Sequence, residues 1–199
     1  MKTIAVYGAS GHGKVVADIA RALGYKEIIF IDDGDNEFLS FKEFYEIYGN
    51  SLSVALGVGD NKTRKKIFDN LKKKNISVKT LIHPSSIISP SAEIGEGVVV
   101  MPLVSVNADA VIKDGVILNT SCVVEHDNVI GDFTHISPNV SLAGNVKVGA
   151  FAHIGIGSCV IQGISIGDYT IIGAGSAVIK NIPVSSLAVG VPAKVIKKL

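Results

Sequence analysis

Residues 130–154 read IGDFTHISPNVSLAGNVKVGAFAHI, and an aliphatic side chain returns at every sixth place: Ile130, Ile136, Leu142, Val148 and Ile154. Followed in both directions, the column runs unbroken from Ile88 to Val178, and all 16 positions are Ile, Leu or Val. If about a third of positions were aliphatic by chance, such a column would arise with a probability on the order of 10⁻⁸. The period therefore belongs to the fold. Four residues after each aliphatic lies a second column of mostly small or branched side chains, among them Ala92, Val98, Ala110, Cys122, Thr134, Val146 and Ser158. The residue directly after the aliphatic is Gly at 95, 131, 149, 155, 167 and 173 and Asn at 107 and 119. These types accept turn conformations, so a corner is expected every six residues.

This pattern resembles that of the hexapeptide-repeat acyltransferases over roughly residues 82 to 194. The resemblance implies a left-handed parallel β-helix in which three hexads make one triangular coil. Sixteen hexads then give a little over five coils, and residues 18 apart lie over one another at the ~4.8 Å spacing of paired strands. A lone solenoid leaves flat faces and open edges that need cover. Members of the family are similar in forming homotrimers, with sites between adjacent prisms.

Residues 1 to about 80 follow another rule. Thr3–Tyr7, Glu27–Ile31 and Ser53–Val58 are short apolar strand patterns. Between and after them come helical stripes: Val15, Val16, Ile19, Ala20 and Leu23, then a capping box opening at Ser40, then Ile67, Phe68 and Leu71. Alternating strands and helices predict a small parallel sheet. A further strand is expected over residues 77–81. The fold class is thus an α/β Rossmann-like βαβ domain, residues 1–80, followed by an all-β left-handed parallel β-helix with a C-terminal tail, residues 81–199. The basic run from Lys62 to Lys74 is read as a solvated helix face.

Nineteen basic against 18 acidic side chains give a net charge of +1, which provides no electrostatic footprint for nucleic acid or an anionic membrane. Mean hydropathy is +0.41, yet no apolar run approaches the ~20 residues of a membrane helix. The apolar run after Met1-Lys2-Thr3 is too short for a signal peptide, so a cytoplasmic protein without membrane insertion is expected. Cys122 and Cys159 lack metal-ligand spacing and are expected to be plain thiols with no assigned role.

Two clusters carry chemistry. Gly8-Ala9-Ser10-Gly11-His12-Gly13-Lys14 joins strand one to helix one, where backbone N–H groups and the helix dipole favour an anion. It is neither a Walker loop, since Val15 replaces the metal-holding hydroxyl, nor a G-x-G-x-x-G frame. Asp32-Asp33 closes the second strand, where a carboxylate can accept from ribose hydroxyls or simply form a tight turn. In the β-helix, Asn119-Thr120 and Glu125-His126-Asp127 occupy consecutive hexads. His126 falls in an outward column with Glu96, Asp114, Asp132 and Asp168, and flanking carboxylates suit a histidine to general-base work. His135 and His153, 18 apart, are expected to stack, and with no third ligand in view no metal is assigned.

Taken with the tail Gly190-Val191-Pro192-Ala193-Lys194, these segments resemble the sugar acetyltransferases of the sialic-acid O-acetyltransferase type, and within them the N-acetyltransferases of bacillosamine synthesis. The resemblance implies acetyl-CoA as co-substrate and the 4-amino group of a UDP-amino-dideoxy sugar as acceptor. It implies that Ser10, Gly11, His12, Asp32, Asp33 and Gly59 hold the UDP-sugar. His126 would be the base, oriented by Asp127 or Glu125, with Asn119 beside it. His135, Gly144, Ile156 and Ala174 would line the acetyl-CoA cleft. Asp127 stands where the family usually has Glu, and Ala174 where it has Gly. The alternatives are an O-acetyltransferase on a sialic-acid-like sugar and a non-catalytic sugar-nucleotide-binding repeat protein.

Overall fold

The computed structural model describes residues 2–199. Strands β1 (Thr3–Tyr7), β2 (Glu27–Ile31) and β3 (Val54–Leu56) form a parallel sheet in the order β2-β1-β3. Helices α1 (Gly11–Ala22), α2 (Phe41–Tyr48) and α3 (Asn61–Lys73) surround it. The capping box at Ser40 is present: Glu43 N–H donates to the Ser40 hydroxyl, and the Glu43 carboxylate accepts from Ser40 N–H. Helix α1 buries Gly13, Val16, Ala17, Ile19 and Ala20, so its inner stripe is turned slightly from the expected one and Val15 faces out.

The strand expected over 77–81 does not form as such. Val78 makes a single bridge to Val54, and Leu81–Ile82 already pairs with Val99–Val100 as the first rung of the β-helix. From there, two-residue rungs repeat every six residues and pair in parallel with those 18 away, as in Ile117↔His135 and His135↔His153. Three flat faces result. The first carries Leu81, Val99, Ile117, His135, His153 and Ile171; the second Ser105, Val123, Ser141, Cys159 and Ala177; the third Val111, Val129, Lys147 and Ser165. The two sequence columns form the prism's core, and every aliphatic from Val100 to Val178 is buried. The tail ends in an antiparallel pair, Ser186–Val189 with Lys194–Lys198, which extends the first face.

The corners are built differently from expectation. The left-handed backbone angle falls three residues after each aliphatic from Ile94 to Ile172, at Leu103, Asp109, Ser121, Asp127, Phe133, Asn139, Asn145, Phe151 and Tyr169 among others. Glycines directly after the aliphatic are needed for room instead. A Cβ on Gly131 would lie 2.6 Å from Ala150 N, and one on Gly155 2.6 Å from Ala174 N, because each coil packs backbone to backbone on the next.

The N-terminal domain covers the lower half of the first face. Val16, Ile19 and Ala20 of α1 share one apolar cluster with Leu81, Val99, Met101 and Ile117. Phe68 and Leu71 of α3 share another with Phe133, which begins a corner ladder of Phe133, Phe151 and Tyr169. The basic run hides an exception to the solvated-face reading. Arg64 is fully buried and donates to the carbonyls of Gly115 and Phe133 in the β-helix.

Candidate active site

His126 stands on the corner between the second and third faces. Its left-handed neighbour Asp127 folds back so that Oδ2 lies 2.7 Å from Nδ1. Asp and Asn tolerate this backbone region better than longer acidic residues, which gives Asp a local reason to occupy the position. The hydrogen bond to Asp127 holds the imidazole pKa above its ordinary value, with the charges of Asp127 and then Glu125 adding in the same direction. Asp127, not Glu125, is therefore the partner in hydrogen-bond contact. Nε2 lies over Gly144, one coil above: a Cβ at 144 would sit 2.5 Å from His126 Cε1 and 2.6 Å from Nε2. Only a glycine leaves the imidazole room to lie there. The ring remains open to solvent, with 60% of its side chain exposed.

One residue behind this corner escaped the sequence reading. Asn128 interrupts the inner apolar column, is fully buried, and donates to Glu125 O and Ala143 O while its own oxygen accepts from Val146 N–H. It ties the turn at His126 to the turn at Gly144 in the next coil. The break in the column at 128 was the available signal.

Asn119 does not share that corner. Consecutive hexads lie on different corners of one coil, and Asn119 is on the edge between the first and second faces. Its Oδ1 accepts from Thr120 N–H, so its amide nitrogen faces His135 Nε2 at 3.1 Å. That pairing makes Nε2 the acceptor and puts the His135 ring proton on Nδ1. Ile156 and Ala174 lie along the same edge as Asn119, one above the other and both exposed, whereas Gly144 is with His126. Of the residues assigned to the acetyl-CoA cleft, Gly144 thus lies on one corner, Ile156 and Ala174 on another, and His135 on the first face.

His135 and His153 stack as expected, centroids 4.8 Å apart, and His12 comes down from the N-terminal domain to 6.3 Å from His135. Burial pushes the His12 pKa down to about 4, with the Arg64 charge acting in the same direction. His135 is pushed down to about 3 by burial and then by His153, Arg64 and His12. His12 Nε2 is buried without a hydrogen-bond partner among the described residues, whereas His135, whose Nδ1 makes no bond of full geometry, has the Gly59 backbone close enough to oppose the fall in its pKa. An unpartnered ring nitrogen buried in this seam fits a polar ligand inserted between the domains. No trio of His, Cys, Asp or Glu among the described residues is placed to hold a metal ion.

The glycine turn is tightly built. Gly8 has φ +107°, and a Cβ on Gly13 would overlap the Gly8 carbonyl. Ser10 and Gly11 remain exposed at the start of α1. The Asp pair is more committed than expected. Asp32 accepts from Ala9 N–H at 2.9 Å and from Gly34 N–H and Asn36, which lowers its pKa, while Asp33 accepts from the Tyr7 hydroxyl and from Phe41 N–H. Gly59 lines a cavity of about 920 Å³ between the start of α3 and the upper first face, which His135, His153, Phe151 and Tyr169 also line. Cys122 is buried in the prism core, and Cys159 is exposed in the middle of the second face.

A family model described as the PglD N-terminal domain matches residues 3–71. The chain is 40% identical over 112 residues to the UDP-N-acetylbacillosamine N-acetyltransferase of Bacillus subtilis (strain 168), a match covering 51% of the chain and spanning about half, 52%, of that relative's length. Among solved structures, PerB from Caulobacter crescentus in complex with CoA and GDP-perosamine is similar with a TM-score of 0.93 and 38% identity, covering 99% of this chain and 98% of that one. The acetyltransferase domain of PglB from Neisseria gonorrhoeae FA1090 in complex with acetyl coenzyme A is similar with a TM-score of 0.91 and 40% identity, over 98% and 99% of the two chains.

Proposed function

Because this chain belongs to the hexapeptide-repeat sugar acetyltransferases, we propose that it transfers an acetyl group from acetyl-CoA to the 4-amino group of a UDP-amino-dideoxy sugar, a step of the UDP-N-acetylbacillosamine kind. The observation that carries this reading is the His126–Asp127 pair, with Nδ1 held at 2.7 Å and Nε2 left over Gly144. A neutral imidazole anchored at Nδ1 by a carboxylate presents Nε2 as a base. The sugar amine attacks the thioester carbonyl, Nε2 takes the proton that the amine loses, and the imidazolium returns it to the departing CoA sulfur. The products are the acetamido sugar and free CoA thiol. Neither cysteine lies on the His126 corner, which favours direct transfer over an acyl-enzyme. The Gly144 backbone N–H is the candidate oxyanion donor.

Gly59 lines the cavity against the first face, His12 reaches to 6.3 Å from His135, and Ser10 and Gly11 are exposed beside it at the start of α1. This supports a UDP-sugar entering the seam, with Asp32 and Asp33 bracing the loop as well as facing the nucleotide. The test is CoA-thiol release with UDP-amino sugars and with hydroxyl sugars as acceptors. Release with amino acceptors alone is expected. Release only with hydroxyl acceptors would favour O-acetylation, and none with either would favour a binding protein.

The split of the assigned residues over two corners supports a homotrimer, in which the His126–Gly144 corner of one protomer meets the Asn119–Ile156–Ala174 edge of its neighbour. The face between these corners offers small side chains, Ser141, Cys159 and Ala177, flanked by exposed Leu103, Ile161 and Ile179. Light scattering should return about three times the chain mass at micromolar concentration. A monomer mass under conditions of full activity would end the shared-site reading.

The Asp127 contact sets the expected pH dependence. Catalysis needs neutral His126, and Asp127 stabilises its charged form, so the acidic limb of kcat/KM should lie above the ordinary imidazole range. In Asp127→Asn the limb should move to lower pH while the plateau falls. An unmoved limb would show that another group titrates.

A further inference from the structure

We propose that Arg64 is a positioning residue, which fixes the N-terminal domain on the β-helix and so sets the turn at Gly59 against the seam histidines where the sugar nucleotide would enter. A guanidinium has five N–H bonds, and here each one finds an acceptor. Nε donates to Gly115 O at 2.7 Å; Nη1 donates to Val58 O at 3.2 Å and Gly59 O at 2.9 Å; Nη2 donates to Asn61 Oδ1 and Phe133 O, both at 2.8 Å. Gly115 and Phe133 belong to the β-helix, whereas Val58 and Gly59 are the turn between β3 and α3. The same turn is tied down again by Asn61, whose amide donates to Phe151 O and Ala152 O. One side chain therefore places Gly59, at the mouth of the cavity, relative to His135.

No carboxylate bonds the guanidinium. The charge of Asp60, at the start of α3, favours the charged guanidinium against its burial, and the Asp60 carboxylate caps Thr63 N–H. Burial is the first reason that three imidazoles in the seam, His12 from α1 and His135 and His153 from the first face, resist protonation, and the Arg64 charge adds to it at each. Lys62 and Asp60 line the same cavity as His135 and His153, whereas Lys65, 5.5 Å from the Phe133 ring, is paired with Asp69. Neutral imidazoles can donate and accept in one seam, which suits a sugar's mixed hydroxyl and amide groups.

The kinetic half of this inference rests on the acetyl-transfer reading; the charge half does not. The test uses full-length protein with Arg64→Met and Arg64→Lys, following imidazole titration by NMR and steady-state kinetics with acetyl-CoA and a UDP-amino sugar. In Arg64→Met, His12 and His135 should titrate at higher pH, and kcat/KM for the sugar nucleotide should fall about 10²-fold, the scale of a misplacement near 1 Å. In Arg64→Lys the charge remains, so the titrations should return toward wild type. The kinetics should not, because three N–H bonds cannot serve five acceptors. A purely structural role would recover both together, and that result, or unchanged titrations in Arg64→Met, would overturn the proposal. Should Arg64→Met fail to fold, Asn61→Ala serves: kcat/KM should drop with the titrations unmoved, and unaltered kinetics would count against positioning. Wild-type protein that released no CoA with any nucleotide-linked amino sugar would sink the acetyl-transfer reading, leaving the titrations to judge Arg64.

Discussion

Replacing His126 with Ala is expected to lower kcat by roughly 10²–10⁴-fold, the range for losing a general base, with little change in the KM for acetyl-CoA. The ring is largely exposed and makes its side-chain hydrogen bond to Asp127, so removing it disturbs no core packing and the fold should stand. That separates a chemical loss from a structural one. Gly144→Ala gives an independent check of the same geometry, since the added methyl would meet Cε1 and Nε2. It should depress kcat with His126 still present. Near-full activity of His126→Ala at neutral pH would move the base elsewhere. His12 would be the poorer substitute, because its seam keeps it neutral down to about pH 4 and hides Nε2.

Acid should destabilise this protein more steeply than carboxylate protonation alone would. His12 and His135 have folded pKa values of about 4 and 3, below the ordinary 6.5 they regain on unfolding. Between those values the unfolded chain binds more protons than the folded one. The stability tied to these groups is thus intact above pH 6.5 and is lost as pH falls toward the folded values. A tenfold change in proton affinity is worth about 1.4 kcal/mol, so each histidine should account for about 2–3 kcal/mol lost between pH 7 and pH 4.5. Urea unfolding of wild type and of His12→Gln/His135→Asn at the two pH values checks this. The double variant should lose several kcal/mol less than wild type over the same interval. Equal losses would mean that the imidazoles protonate in the folded state at ordinary pH, and the seam would then be wetter than its burial implies.

The hexad period was legible because it is a local rule repeated along the chain. A residue pointing into the prism must be apolar at every coil, and neighbours 18 apart are forced into register by backbone pairing. His126, Asp127 and Gly144 could be placed on one corner from number alone, since 126 and 144 differ by one coil. The strand order of the first domain was not written in any period, and neither was the fate of residues 77–81. That segment is divided between a bridge to Val54 and the first rung, because the β-helix face competes for Leu81. The corner glycines were recognised for a conformational reason when their necessity is steric, a distinction that depends on how closely one coil lies on the next.

What the sequence determined by itself was therefore the solenoid, the outward histidine with its flanking carboxylates, and the glycine turn before α1. Each is set by spacing along one stretch of chain. What only the tertiary structure decided was the choice of Asp127 over Glu125 as the imidazole's partner, the separation of Asn119 from His126, and the burial of Arg64 inside an outwardly basic helix. Those outcomes depend on which corner a side chain occupies and on what a second domain lays against it. Arg64 is charged in a run of charges, and nothing local sets it apart. It is buried because the carbonyls of Gly115 and Phe133, 51 and 69 residues away, can satisfy its donors only once the two domains have docked.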